Sequence, residues 1–237
     1  MGDKKRSLPA NGTAASPKTR FHKETEAARS ERFQTVFSEL HKIYPDAKCA
    51  LDFTNAYELL AATIMSAQCT DKRVNIVMKD FRVEFPTPEV LAQAAPEAIE
   101  KVIRTTGFFR QKAKSLKSMA TDIVTKNEGK VPETMEELVT LRGVGRKTAN
   151  VVLGDAFHKS EGIAVDTHVT RLAGLLAFTT HTDAEKIEQD LMVLAKPKQW
   201  TLTSHLLILH GRSICIARRP KCRECVVNEY CPSASFE

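Results

Sequence analysis

The chain has 237 residues, 42% of them hydrophobic, enough to bury one large or two modest cores; this excludes disorder throughout. Its formal net charge of +6 and isoelectric point near 9.0 favour polyanionic partners, nucleic acid first, through long-range attraction and counterion release. No apolar run approaches the roughly 20 residues needed to cross a bilayer, and no apolar core of a signal peptide follows the N-terminus, so a soluble intracellular protein with no membrane partner is expected.

Residues 1 to 29 hold seven Lys or Arg against three acids, interspersed with Pro, Gly, Ser and Thr, and read as a flexible basic tail. Order is expected from about Ser30, where Phe33, Val36, Phe37, Leu40 and Ile43 recur at helical spacing until Pro45. Asn55 opens a second helix, with Glu58 three residues on as a capping box and Leu59, Leu60, Ile64 and Met65 as its apolar face. Thr87-Pro88 and Pro132 read as helix starts with proline in the first turn, and Gly107 and Gly129 as left-handed residues past helix ends. Thr182 and Glu185 form another capping box ahead of Ile187, Leu191 and Leu194. No period-2 strand pattern appears, because the β-branched pieces at 163–165 and 151–152 are short and sit beside helical signals. The fold class is therefore all-α.

The segment LRGVGRKTANVVL, Leu141 to Leu153, carries the most information. Gly143 and Gly145 permit a tight turn that exposes amide N–H groups around Val144, and such a nest at a helix N-terminus suits a phosphate. Arg142, Arg146 and Lys147 bring three positive charges to it. A nucleotide P-loop is excluded, because the first glycine and the adjacent Gly-Lys pair of that motif are missing. An isolated G-x-G is by itself only a helix-turn-helix connection. Lys147 taken alone reads as a surface lysine on a phosphate, and Asp166 taken alone as a helix N-cap before Thr167 and His168.

Cys215, Cys222, Cys225 and Cys231 give the spacing C-x6-C-x2-C-x5-C, four soft ligands in one short segment. Clustering of this kind indicates metal ligation rather than disulfides. Zinc and an iron–sulfur centre both remain open on chemistry alone, and the presence of a single C-x-x-C pair tilts the spacing toward iron–sulfur. Arg218, Arg219, Lys221 and Arg223 make the same loop basic, suited to phosphates. Cys49 and Cys69 read as small buried apolar residues. His205 and His210 are five apart, so they do not share a helical face as in H-E-x-x-H.

Four pieces occur in order: SAQCTD (Ser66 to Asp71), the glycine hairpin, IAVDTHVTRL (Ile163 to Leu172) and the cysteines. Together they cover most of residues 30 to 231 and resemble the endonuclease III family of helix-hairpin-helix DNA glycosylases. The resemblance implies two helical domains flanking a DNA cleft. One is a six-helix barrel with the hairpin at residues 49–159. The other is a discontinuous domain at 30–48 and 160–237 that holds a 4Fe-4S cluster on Cys215, Cys222, Cys225 and Cys231. It also implies a monomer of the bacterial-type cytoplasm or nucleoid acting on damaged double-stranded DNA.

By the same resemblance Lys147 is the nucleophile, its ammonium disfavoured by Arg146, the helix N-terminus and partial burial. Asp166 is the carboxylate that deprotonates it and stabilises the cationic sugar. The product is a Schiff base, followed by β-elimination 3′ to the abasic sugar of an oxidised pyrimidine. Gln68 would fill the space left by the flipped nucleotide. Phe108, in the loop Gly107 to Ala113, would be the wedge in the opposite strand, with Arg110 and Lys112 on nearby phosphates. A phenylalanine there is otherwise core. His168 would orient Asp166 or a phosphate. An adenine-mismatch glycosylase shares the fold but usually lacks the lysine, and a noncatalytic iron–sulfur DNA-binding protein has no need of the Lys147 and Asp166 pair.

Overall fold

The computed structural model describes residues 24–236, and within them every regular element is helical. Helix α1 spans Glu26–Ile43. Next come α2 (Ala56–Ser66), α3 (Asp71–Glu84), α4 (Pro88–Gln93), α5 (Pro96–Ile103), a 3₁₀ turn at Arg104–Thr106, α6 (Phe109–Lys126), α7 (Met135–Leu138) and α8 (Arg146–Ala156). The chain ends with α9 (Thr167–Leu175), α10 (Ala184–Leu194) and α11 (Trp200–Ser213), then short 3₁₀ turns through the cysteine segment. No helix among the described residues is long and apolar enough to cross a membrane.

Side-chain caps start most of these helices. Thr25, Asn55, Thr70, Thr87, Thr134, Asp166 and Asp183 each accept an amide N–H of the first turn, satisfying donors that the helix itself cannot. Several expectations shift by a few residues. Thr25 starts α1, so order begins before Ser30 and the basic tail ends earlier than residue 29; residues 1–23 lie outside the described residues. Asp183, not Thr182, caps α10, because a carboxylate one residue on reaches the Lys186 amide. Pro132 precedes the Thr134 cap and is not in the first turn of α7. Glu58 bonds Thr54 rather than closing a box on Asn55, and it also pairs with Arg82.

The buried apolar side chains form two clusters. The first runs from Leu51 to Leu153 and is centred on α2, whose Leu59, Leu60, Ala61, Ala62 and Met65 have no exposed surface. That helix is apolar nearly all round, as a helix enclosed by others must be. The second combines α1 with α9, α10 and α11, so Phe33, Val36 and Leu40 pack beside Leu172, Phe178, Ile187 and Leu206. Polar contacts that join the two include Asp155 Oδ1 to His205 Nε2 at 2.8 Å, Asp71 to Arg212 at 2.8 Å, and Glu188 to both Arg146 and Asn150.

Candidate active site and nucleic-acid interface

Between α7 and α8 the chain makes a one-residue reversal at Gly143, whose φ of +84° is costly for any residue with a Cβ; a Cβ there would also meet Ser115. Val144 N–H donates to the Leu141 carbonyl at 3.0 Å, and its side chain is buried in the first cluster. Val144 is thus the anchor of the hairpin, and its amide is spent internally rather than offered to a ligand. Gly145 adopts ordinary extended backbone, φ −97° and ψ 175°, so only Gly143 uses the conformational freedom that both glycines offer. It starts α8 with no side-chain cap, and nothing lies within 4 Å of where its Cβ would be. The open N-terminus of α8 therefore offers free amide donors to an anion.

Lys147 is the second residue of α8 and is exposed, so the partial burial expected of it is absent. Arg142 is exposed as well. Arg146 is not a free cation: its Nε and NH2 donate to Glu188 at 2.6 and 3.2 Å.

The buried run Ile163 to Val165 delivers Asp166 to the start of α9. Its Oδ1 accepts from the amides of His168 and Val169, each at 2.8 Å, so Asp166 is an N-cap, partly exposed. The His168 imidazole meets Arg171 instead, with Nδ1 3.3 Å from Arg171 NH2. Arg171 continues to the Cys215 carbonyl at 2.8 Å and to Gly211 O, tying α9 to the cysteine segment. His168 also lines a cleft with Asp71, Cys69 and Arg212, which come from both sides of the molecule.

Gln68 and Phe108 occupy equivalent situations. Each is an exposed non-glycine residue with positive φ, +53° and +47°, following a helical segment and preceding the next. Phe108 is 68% exposed, which removes the alternative that it is core. Phe109 packs against the first cluster instead. Arg110 is exposed, its guanidinium 5.3 Å from the Phe109 ring. Lys112 contradicts its expected role on a phosphate: it is 5% exposed, with Nζ donating to the Met65 and Thr106 carbonyls at 2.8 Å each. Its stem carries the ammonium inward because helical position 112 faces the core beside Ala113 and Leu116.

All four candidate cysteine ligands line one apolar cavity with Leu172, Leu175 and His210. Burial pushes the Cys215 and Cys225 thiols above their ordinary value and Cys231 up to about 11, so an apolar shell surrounds the sulfurs. His210 is buried, its Nε2 3.3 Å from Cys225 Sγ, and burial lowers its imidazole to about 4. Among the described residues no group of three His, Cys, Asp or Glu could hold a single metal ion; the thiols surround a common space instead. Arg218, Arg219, Lys221 and Arg223 are exposed around this loop. Cys49 and Cys69 are half-buried against the first cluster, and burial takes the Cys49 thiol up to about 12.

Glu188 and Asn150 are site neighbours that sequence reading missed. Asn150 Nδ2 donates to Glu188 Oε1 at 2.8 Å, beside the Arg146 pair. The available signal was a carboxylate beside the apolar stripe of Ile187, Leu191 and Leu194, a position where an unpaired charge is costly.

Residues 61–197 match the sequence profile of the HhH-GPD superfamily base excision DNA repair protein, and residues 215–231 match the iron-sulfur binding domain of endonuclease III. The endonuclease III of Synechocystis sp. is 47% identical over 208 residues, covering 88% of this chain and 95% of that one. That of Escherichia coli K12 is 35% identical, covering 83% and 92%. A solved endonuclease III–DNA trapped covalent intermediate superposes with a TM-score of 0.82 at 37% identity, covering 86% of this chain and 96% of its own. A thermostable thymine-DNA glycosylase, TM-score 0.78 at 21% identity and covering 87% and 98%, shares the fold. The match over most of the chain and the separate match of the cysteine segment agree: the chain belongs to the endonuclease III family of base excision repair DNA glycosylases and carries that family's iron–sulfur binding domain.

Proposed function

We propose that this glycosylase is bifunctional, releasing oxidised pyrimidines from duplex DNA and then cleaving the strand through a Schiff base on Lys147. The observation that carries this reading is the placement of Lys147: an exposed amine in the first turn of an uncapped helix, directly after the Gly143–Gly145 hairpin. The solved relative trapped as a covalent intermediate with DNA supports a nucleophilic route.

A lysine amine is almost wholly protonated at neutral pH, so attack requires a base. Asp166 is that base; with Oδ1 engaged by two amides, the other oxygen is left for the proton. Deprotonated Lys147 Nζ bonds to C1′ of the flipped nucleotide while the C1′–N bond breaks, and the base departs with the proton that Asp166 took from the lysine, which returns Asp166 to its carboxylate form. The Asp166 carboxylate stabilises the positive charge that develops on the sugar. Ring opening leaves an iminium between Nζ and C1′. Loss of a C2′ proton then expels the 3′ phosphate oxygen by β-elimination, and water hydrolyses the iminium to return the amine.

The remaining site residues bind and open the duplex. The uncapped amides at the hairpin, with Gly143 and Gly145 keeping the backbone clear, take a phosphate, and Arg142 and Arg110 add charge to the backbone contact. Arg146, through Glu188, and Val144, through the core, hold this hairpin in place. Gln68 enters the vacated stack and Phe108 wedges the opposite strand. His168 orders the cleft floor with Arg171. The two clusters serve as the barrel domain and the discontinuous domain, with the duplex in the cleft between them.

The iron–sulfur group is a 4Fe-4S cluster on Cys215, Cys222, Cys225 and Cys231. The residues fit it, because four soft donors face one apolar cavity. The cluster supplies covalent bracing of a loop that has little regular structure, and Arg218 and Arg219 on that loop then meet phosphates with little further ordering cost. A monomer acting in the bacterial-type cytoplasm or nucleoid is the corresponding cellular reading.

The test is borohydride trapping on a labelled duplex containing thymine glycol. A covalent adduct and a nicked strand are expected from the native protein and not from Lys147→Ala. Base release without any adduct would replace the lyase with a monofunctional glycosylase; neither product from folded, cluster-loaded protein would redirect the assignment to another lesion.

A further inference from the structure

Lys112 lies in the first turn of α6, where its backbone N–H donates to the Phe108 carbonyl at 3.1 Å. Its side chain is 5% exposed, and the ammonium donates at 2.8 Å to two carbonyls outside its own helix, Met65 and Thr106. The Met65 carbonyl belongs to the last turn of α2, where carbonyls lack partners within the helix, and Thr106 ends the 3₁₀ turn. Two negative helix ends therefore converge on one cation.

These carbonyls are the roots of two exposed loops. Met65 stands three residues before Gln68, and Thr106 two before Phe108. Gln68 and Phe108 both hold left-handed φ values that cost free energy unless the surroundings impose them. Burying an ammonium among carbonyls is also costly, and burial lowers the proton affinity of Lys112 accordingly. An apolar side chain of similar length would fill the space but leave both carbonyls without this donor, so the ammonium answers the carbonyls and not packing alone.

We propose that Lys112 is a positioning residue for duplex opening, fixing the roots of the Gln68 and Phe108 loops on one ammonium so that the two side chains enter the base stack as a unit. The proposal rests on the roles given to Gln68 and Phe108 above. Preorganising both loops removes an ordering cost that would otherwise fall on the opening step.

Native protein and Lys112→Met are compared on two labelled DNAs. One is a fully paired duplex with thymine glycol, which must be opened. The other holds a preformed abasic site in a short unpaired loop, which needs no opening. For the variant, base release from the paired duplex slows about tenfold or more, while borohydride trapping on the looped DNA changes by less than about threefold. Adding Phe108→Ala to Lys112→Met slows base release by less than about threefold further, because groups acting as one unit are not additive. Lys112→Gln keeps two N–H donors without the charge and recovers part of the rate; it carries the same comparison if the methionine variant does not fold. Equal slowing on both DNAs, or slowing on neither, would overturn the proposal. Failure of the native protein to trap on either DNA would instead refute the lyase reading, which separates the two.

Discussion

Arg146 and Glu188 form a two-point ion pair, Nε to Oε2 at 2.6 Å and NH2 to Oε1 at 3.2 Å, that fastens the helix bearing Lys147 to α10. Glu188 is 3% exposed and also accepts from Asn150. The carboxylate reaches this position because residue 162 is glycine; a Cβ there would run into both Glu188 and Asn150. One buried acid thus ties α8 to α10, and Gly162 lets the segment that leads to Asp166 pass close against it.

Glu188→Ala should accordingly destabilise the protein by about 2–3 kcal/mol. That is less than breaking a fully buried pair, because the Arg146 side chain is 42% exposed and regains water. Urea unfolding should show a lower midpoint with an unchanged slope. A change under about 0.5 kcal/mol would mean that Asn150 and Arg146 find other partners.

The observed N-cap and the proposed catalytic role of Asp166 are separable. As N-cap it accepts two amides, a function asparagine performs about equally well, whereas alanine should cost about 1 kcal/mol. In the proposed reaction only the carboxylate takes a proton from Lys147. Asp166→Asn should therefore unfold within about 0.5 kcal/mol of the native protein yet lose Schiff-base trapping, while Asp166→Ala loses both. Full trapping by the asparagine variant would remove Asp166 from the chemistry.

Phe108 combines 68% exposure with a φ of +47°, so its conformation is a cost that folding does not recover in packing. Phe108→Gly should leave stability unchanged or raise it by up to about 1 kcal/mol, since glycine takes left-handed angles freely. The same change should slow base release from paired duplex. A large loss of stability would show that the ring packs in the folded state after all.

The helical class, the hairpin and the cysteine segment were legible because each depends on local rules: apolar spacing, a glycine turn and ligand spacing. What was not legible depends on where side chains point in three dimensions. Lys112 and Arg146 read as phosphate contacts, since sequence shows charge but not direction; one is turned inward to carbonyls and the other is claimed by an acid 42 residues on. Val144 read as part of an amide nest, but its buried side chain and internal bond make it the anchor. Cap positions moved by a residue at Asp183 because two neighbouring residues both have capping chemistry, and backbone geometry decides between them.

Glu24 gives an acid-stability prediction. The two-point hydrogen bond from Arg32, Nε and NH2 both at 2.8 Å, holds the Glu24 carboxyl below its ordinary value of 4.5. The unfolded chain then binds the proton more readily than the native one. The resulting stability is fully present above about pH 4.5 and is lost as pH falls through the lower native value. Glu24→Gln should flatten this part of the stability–pH curve; an unchanged acid limb would assign it to other carboxylates.

Iron removal should act locally before it acts globally. The cysteine segment is attached to the second core by the buried Val227 and by Arg32, whose NH1 donates to the Tyr230 carbonyl at 3.1 Å and the Leu176 carbonyl at 2.7 Å. Its regular structure is limited to two short 3₁₀ turns, which supply little order on their own. Without metal–sulfur bonds, the exposed basic residues Arg218, Arg219, Lys221 and Arg223 become part of a loop free to enter a protease. Within residues 24–236, limited trypsin digestion after chelation should therefore cut first at residues 218–223, with α1 to α8 still protected, and the loaded protein should resist at that segment at the same enzyme ratio. Simultaneous cleavage throughout the chain would mean instead that the cluster stabilises the whole fold.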